Sequence, residues 1–174
     1  MILLETYVIE DCINYDSLTS ASGKWTIPSG VTSQYSSDGW KVSASSYKQV
    51  KLTDKLTSAC SVEFTLKDFT QYSDYQSIII YQYTNGDTTP NQDILLGGVG
   101  NVNYCKVLGV KLNRDLVKNA KYRIEYATST IKVYENDTLI GSGSNNVGFP
   151  TRFEFHIGAN SRYVIYKDIK VKPL

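Results

Sequence analysis

A single histidine, His156, stands in this chain of 174 residues, and its isolation narrows the chemistry sharply. Zinc centres draw several ligands from His and Cys. A Ser–His–Asp triad would have to be built on His156. That residue lies between Phe155 and Ile157 in an alternating segment, on the parity of Arg152 and Glu154, which reads as an exposed or half-covered strand position. Cysteine is equally scarce. Cys12, Cys60 and Cys105 are odd in number, widely spaced and free of any C-x-x-C, so they form neither a disulfide framework nor a metal clip. They are expected to be free thiols acting as small buried hydrophobes. The stretch Gly141-Ser-Gly-Ser144 lacks the glycine spacing of a nucleophile elbow.

Net charge is also missing. Eighteen Lys and Arg face seventeen Asp and Glu, leaving +1, so the chain as a whole has no basic field to attract nucleic acid. No stretch approaches the ~20 apolar residues of a membrane span, so no membrane insertion is expected. The apolar start Met1-Ile-Leu-Leu4 ends at Glu5 with no basic region before it, so no secretory leader is expected. Synthesis in a reducing cytoplasm is the expectation, which leaves a virion or extracellular working place open. Helix signals are lacking too: the nearest, LNRDLVKNA, is short and lies between two strand patterns.

Paired acids are the last absence. A retaining glycosidase needs two carboxyl groups about 5 Å apart. Glu63, Glu125 and Glu154 each stand alone on the outward parity of a strand pattern, and Asp68, Asp74, Asp87 and Asp93 lie in or near turns. A non-catalytic chain is the expectation, with no cofactor. Asn85, Asp87, Thr89 and Asp93 offer oxygen ligands in one loop, yet turn chemistry explains them equally well, so no metal is assigned.

What the chain has is alternation. Residues 61–67, 122–126, 131–135 and 152–157 place apolar side chains at every second position, the period of a strand covering a core. Trp40, Val42 and Ala44 share a face after the Asp38-Gly39 turn, which marks Trp40 as core. Residues 24–27 and 47–52 are further strands, and most of 16–39 reads as loop. Asn136-Asp137 turns 131–135 back into 138–140, and residues 163–166 and 168–171 read as two closing strands. Residues 77–83 are apolar on both parities, as in a strand covered on both sides or bordered by a groove. About a dozen short strands argue an all-β, two-sheet antiparallel sandwich spanning 1–174 as one domain.

Fourteen Tyr against five Phe and two Trp is a second positive feature, since tyrosine suits half-buried sheets and wet binding faces. Tyr72, Tyr75, Tyr81 and Tyr83, interleaved with Gln71, Gln76 and Gln82 and followed by Asn85 and Asp87, supply aromatic faces for sugar C–H surfaces and polar groups for hydroxyls. Tyr72, Tyr75, Tyr81, Tyr83, Asn85 and Asp87 are the candidate ligand-binding set. Tyr81 and Tyr83 share a parity opposite Ile78 and Ile80, which would supply the core.

The segments KYRIEYATSTIKVYENDTLIGSG, RFEFHIG and YKDIKVK, within residues 121–172, resemble the C-terminal part of concanavalin A-like (laminin-G-like) jelly rolls. That resemblance implies a jelly-roll sandwich of the kind found in lectins, glycan-binding modules, some glycosidases and lyases, adhesins and phage virion proteins. It implies a binding or structural module at a virion or cell surface, such as a tail adhesin or head decoration. Its partners would be a surface glycan or other virion proteins, and homo-oligomers are common among such modules. Two alternatives remain open: a virion assembly protein that contacts only protein neighbours, and a glycan hydrolase or lyase.

Overall fold

The computed structural model describes residues 13–14, 23–70, 77–82, 92–98, 106–108, 110–112, 114, 116–146, 148–157 and 162–174, with 13–14, 77–82, 92–98 and 106 followed as backbone. Fifteen strands make up the described secondary structure: β1 Ile13–Asn14, β2 Trp25–Thr26, β3 Val31–Ser36, β4 Gly39–Ala44, β5 Lys48–Leu52, β6 Cys60–Phe69, β7 Ser77–Gln82, β8 Gln92–Gly98, β9 Lys106–Val107, β10 Val110–Lys111, β11 Ala120–Tyr126, β12 Thr130–Glu135, β13 Thr138–Ser144, β14 Glu154–Ile157 and β15 Arg162–Pro173. They form two antiparallel layers. The large sheet runs β13-β12-β11-β6-β15-β4-β3, with β1 on β15. The small layer is β14-β5-β2, with the β7–β8 pair alongside β14.

The alternating faces set the register. Tyr122, Ile124 and Tyr126 of β11 lie opposite Phe64, Val62 and Cys60 of β6, so six buried residues meet on one face. A slip of one residue would turn all of them to solvent. Asn136 and Asp137 take φ of 48° and 63°, the left-handed pair of a two-residue hairpin whose twist matches the flanking strands. Asn136 also caps the neighbouring ladder: its Oδ1 accepts from Lys121 N at 2.9 Å.

The layers meet through aromatic rings. Phe155 of β14 stacks on Tyr166 of β15, centroids 4.0 Å apart, and meets Phe64 of β6 edge-on at 5.4 Å. Trp25 of β2 lies 5.1 Å from Trp40 of β4. Trp40 is core, as its parity requires, and its indole N–H donates to Ser33 Oγ at 2.8 Å.

Two elements differ from the sequence reading. Residues 31–36, read as loop, form the edge strand β3. Only Val31 and Tyr35 carry its alternation, because an edge strand has one covered neighbour and tolerates polar residues on both faces. Residues 163–166 and 168–171, read as two strands, are one strand, β15. Asp168 sits at φ 54° where the register with β6 shifts between Lys167 and Lys170, a bulge that bends the strand without ending it.

Candidate functional site

Of the candidate set, Tyr72, Tyr75, Tyr83, Asn85 and Asp87 lie outside the described residues. Tyr81 belongs to β7, in register with Asp93 of β8. Along the same ladder Ile78 pairs with Leu96, Ile79 with Leu95 and Ile80 with Ile94. The loop considered for calcium also falls outside the described residues, apart from Asp93 in β8; among the described residues no group of three potential metal-ligating side chains comes together.

Beside β7, the outer face of the small sheet carries a polar line on described residues. β14 and β5 pair Glu154 with Lys51 and His156 with Gln49, while Phe155 and Val50 turn inward. Glu154 and His156 keep the outward parity expected of them, but they are 0% and 1% exposed, which corrects the expectation of a solvated or half-covered position. Sequence alternation assigns a residue to a face; it does not say what lies over that face.

Burial dictates the chemistry here, because a polar group removed from water must be hydrogen-bonded. His156 Nε2 lies 2.6 Å from Glu154 Oε1, and Tyr47 OH meets Nδ1. A carboxylate only accepts, so Nε2–H donates to Glu154 and Nδ1 is left to accept from the Tyr47 hydroxyl. Lys51 Nζ stands 4.0 Å from the second carboxylate oxygen. The Tyr47 ring packs edge-on against the imidazole at 5.2 Å and remains 48% exposed. The array thus holds one aromatic ring in a fixed pose at the surface, anchored through His156 to a buried carboxylate. Tyr47 was not among the sequence candidates. The signal available was the Glu154-x-His156 pair on one strand parity, which demands a partner for each group if that face is covered.

The outer face of the large sheet is a lattice of ion pairs. Lys172 and Lys121 reach Glu63 Oε2 at 2.9 and 3.6 Å. Burial pushes the Glu63 carboxyl upward, but its bonds to Lys172 and the charge of Lys121 outweigh this and hold it below the usual glutamate value. Asp68 behaves alike: partial burial raises it, and Lys118 at 2.6 Å with the Tyr163 hydroxyl at 2.8 Å bring it below the aspartate value. Tyr163 is raised in turn, first by that bond to Asp68.

No family model matches the chain, and no curated protein matches it. Solved structures do. A sialidase superposes with TM-score 0.66 at 14% identity over 92% of this chain, which spans only 18% of the sialidase. A Bacillus subtilis protein of unknown function with a galectin-like fold gives 0.64 at 9% identity, covering 92% of this chain and 95% of that one. The Bacillus subtilis carbohydrate-binding module CBM66 gives 0.52 at 12% identity, covering 86% and 95%. These likenesses establish the fold: the chain is a galectin-like, concanavalin A-like jelly-roll sandwich.

Proposed function

We propose that this chain is a non-catalytic glycan-binding module that works at a virion or cell surface, with its site on the outer face of the small sheet. The observation that carries the reading is the Tyr47–His156–Glu154 line, which fixes an exposed aromatic ring against β14, the strand that contacts β7. Aromatic faces cover sugar C–H surfaces, and Gln49 and Lys51 add polar groups along the same layer. The fold supports it, since a carbohydrate-binding module shares this architecture. A binding rather than a hydrolytic role is favoured because Glu154, the carboxylate of β14, is committed to His156 and Lys51 inside the sheet face. Tyr72, Tyr75, Tyr83, Asn85 and Asp87 complete the proposed site from the segments flanking β7.

The test is a glycan array probed with the full chain, repeated with Tyr81→Ala, Tyr83→Ala and Tyr75→Ala. Binding to a defined set of glycans, lost in these variants at unchanged melting temperature, supports the proposal. Turnover of a polysaccharide, followed by reducing ends and lost on changing one glutamate, refutes the non-catalytic part. An array without hits refutes the glycan part.

A further inference from the structure

The second surface is the outer face of the large sheet. Its charges segregate although the chain as a whole is nearly neutral. The register places three rows across the four central strands: Lys167, Thr65 and Lys121; Lys170, Glu63, Arg123 and Tyr134; Lys172, Ser61, Glu125 and Lys132. Six cations stand there against Glu63, Glu125, Asp137, whose Oδ1 lies 3.8 Å from Arg123 Nη2, and, at the bulge, Asp168. Neighbours within a row are about 4.8 Å apart and rows about 7 Å apart, the strand spacing and the two-residue rise of a sheet. The carboxylates are spent locally: Glu63 binds Lys172 and Lys121, and Glu125 accepts from Arg123 and from Tyr134 OH. Among the described residues no ion pair engages Lys132 or Lys170. The β15 bulge opens a depression of about 290 Å³ among Lys121, Lys170, Lys172, Glu63, Thr65 and Asp168, so three ammonium groups line one shallow basin.

We infer that this face is a second binding surface, distinct from the Tyr47 site, for an extended polyanionic polysaccharide bearing carboxylate or sulfate groups. The occupant is argued from charge complementarity and shape. A flat lattice with cations repeated along β15, β11 and β12 matches a linear chain with regularly spaced anions better than a compact ligand. Nucleic acid fits poorly. Single strands bind by stacking bases on exposed rings, and here Arg123 lies over Tyr134 at 3.8 Å and Lys41 over Tyr163 at 4.5 Å.

The experiment titrates the full chain with alginate, dextran sulfate, neutral dextran and a DNA duplex at low and at raised salt. Alginate and dextran sulfate should bind, neutral dextran should not, and affinity should fall as salt rises. The double variant Lys132→Glu with Lys170→Glu, which leaves the Glu63 pairs intact, should bind about tenfold or more weakly. Lys48→Glu on β5, in the other sheet, should bind as the parent does, and all variants should melt alike. Equal binding of neutral dextran, an equal loss in Lys48→Glu, tighter binding of DNA than of alginate, or no binding at low salt would each overturn the inference. Tyr47→Ala should leave the alginate titration unchanged, which separates this face from the small-sheet site.

Discussion

His156 and Glu154, two residues apart on β14, face the same way and are joined at 2.6 Å with almost no exposed surface. Removing one partner strands the other away from water. Glu154→Ala should therefore cost about 1–3 kcal/mol in chemical denaturation, the cost of leaving the buried His156 N–H without an acceptor. Glu154→Gln, which can still accept from Nε2–H, should cost less. A solvated surface position would give no more than about 0.5 kcal/mol for either change.

Phe155 lies between the layers, stacked on Tyr166 and edge-on to Phe64 and Phe153. Phe155→Ala should cost about 3–5 kcal/mol. Thr32→Ala on the exposed edge strand β3 should stay within about 0.5 kcal/mol. Parallel urea titrations of the two variants check the assignment of inner and outer faces.

Gly39 starts β4 at φ 125°, and a Cβ there would stand 2.4 Å from the Tyr166 carbonyl oxygen. Backbone, not a mobile side chain, blocks the space. Gly39→Ala should cost about 2–3 kcal/mol through strain and strand separation, read as a lowered denaturation midpoint.

The strands that cover the core were legible because burial on one face imposes a period of two, as in β6, β11 and β14. The β3 edge was not, since Val31-Thr-Ser-Gln-Tyr-Ser36 needs to satisfy only one neighbouring strand and carries little apolar pattern. Nor was the continuity of β15: a single residue in the left-handed region, Asp168, looks in sequence like a break between two strands. At the site, parity put Glu154 and His156 on the outer face, while their burial and their link to Tyr47 depend on residues 109 positions apart coming together. Such pairings arise from the packing of β5 on β14, which no local pattern encodes. The tyrosine set flanking β7 awaits the binding tests.

Glu63 ties acid stability to the large sheet. Its carboxyl is held below the ordinary glutamate value of 4.5, so the folded state binds its proton less tightly than the unfolded chain. The stabilisation is complete above about pH 4.5 and is lost as pH falls through the lower folded value. Glu63→Gln should flatten that acid limb in a series of denaturation midpoints against pH.

Cys60 is a free thiol at the start of β6, 6% exposed, and burial pushes it up to about 11. A thiol that is seldom ionised and shielded from solvent reacts slowly. Iodoacetamide at mildly alkaline pH should label Cys60 only after unfolding, as read by mass spectrometry of peptides.

The central claim is that the outer face of the small sheet holds a saccharide against Tyr47. Calorimetric titration of the strongest array ligand into the parent chain and into Tyr47→Ala tests it directly. The account predicts that Tyr47→Ala abolishes measurable heat while the protein stays folded, because the ring is the exposed end of the His156–Glu154 anchor. Unchanged affinity in the folded Tyr47→Ala variant would contradict it.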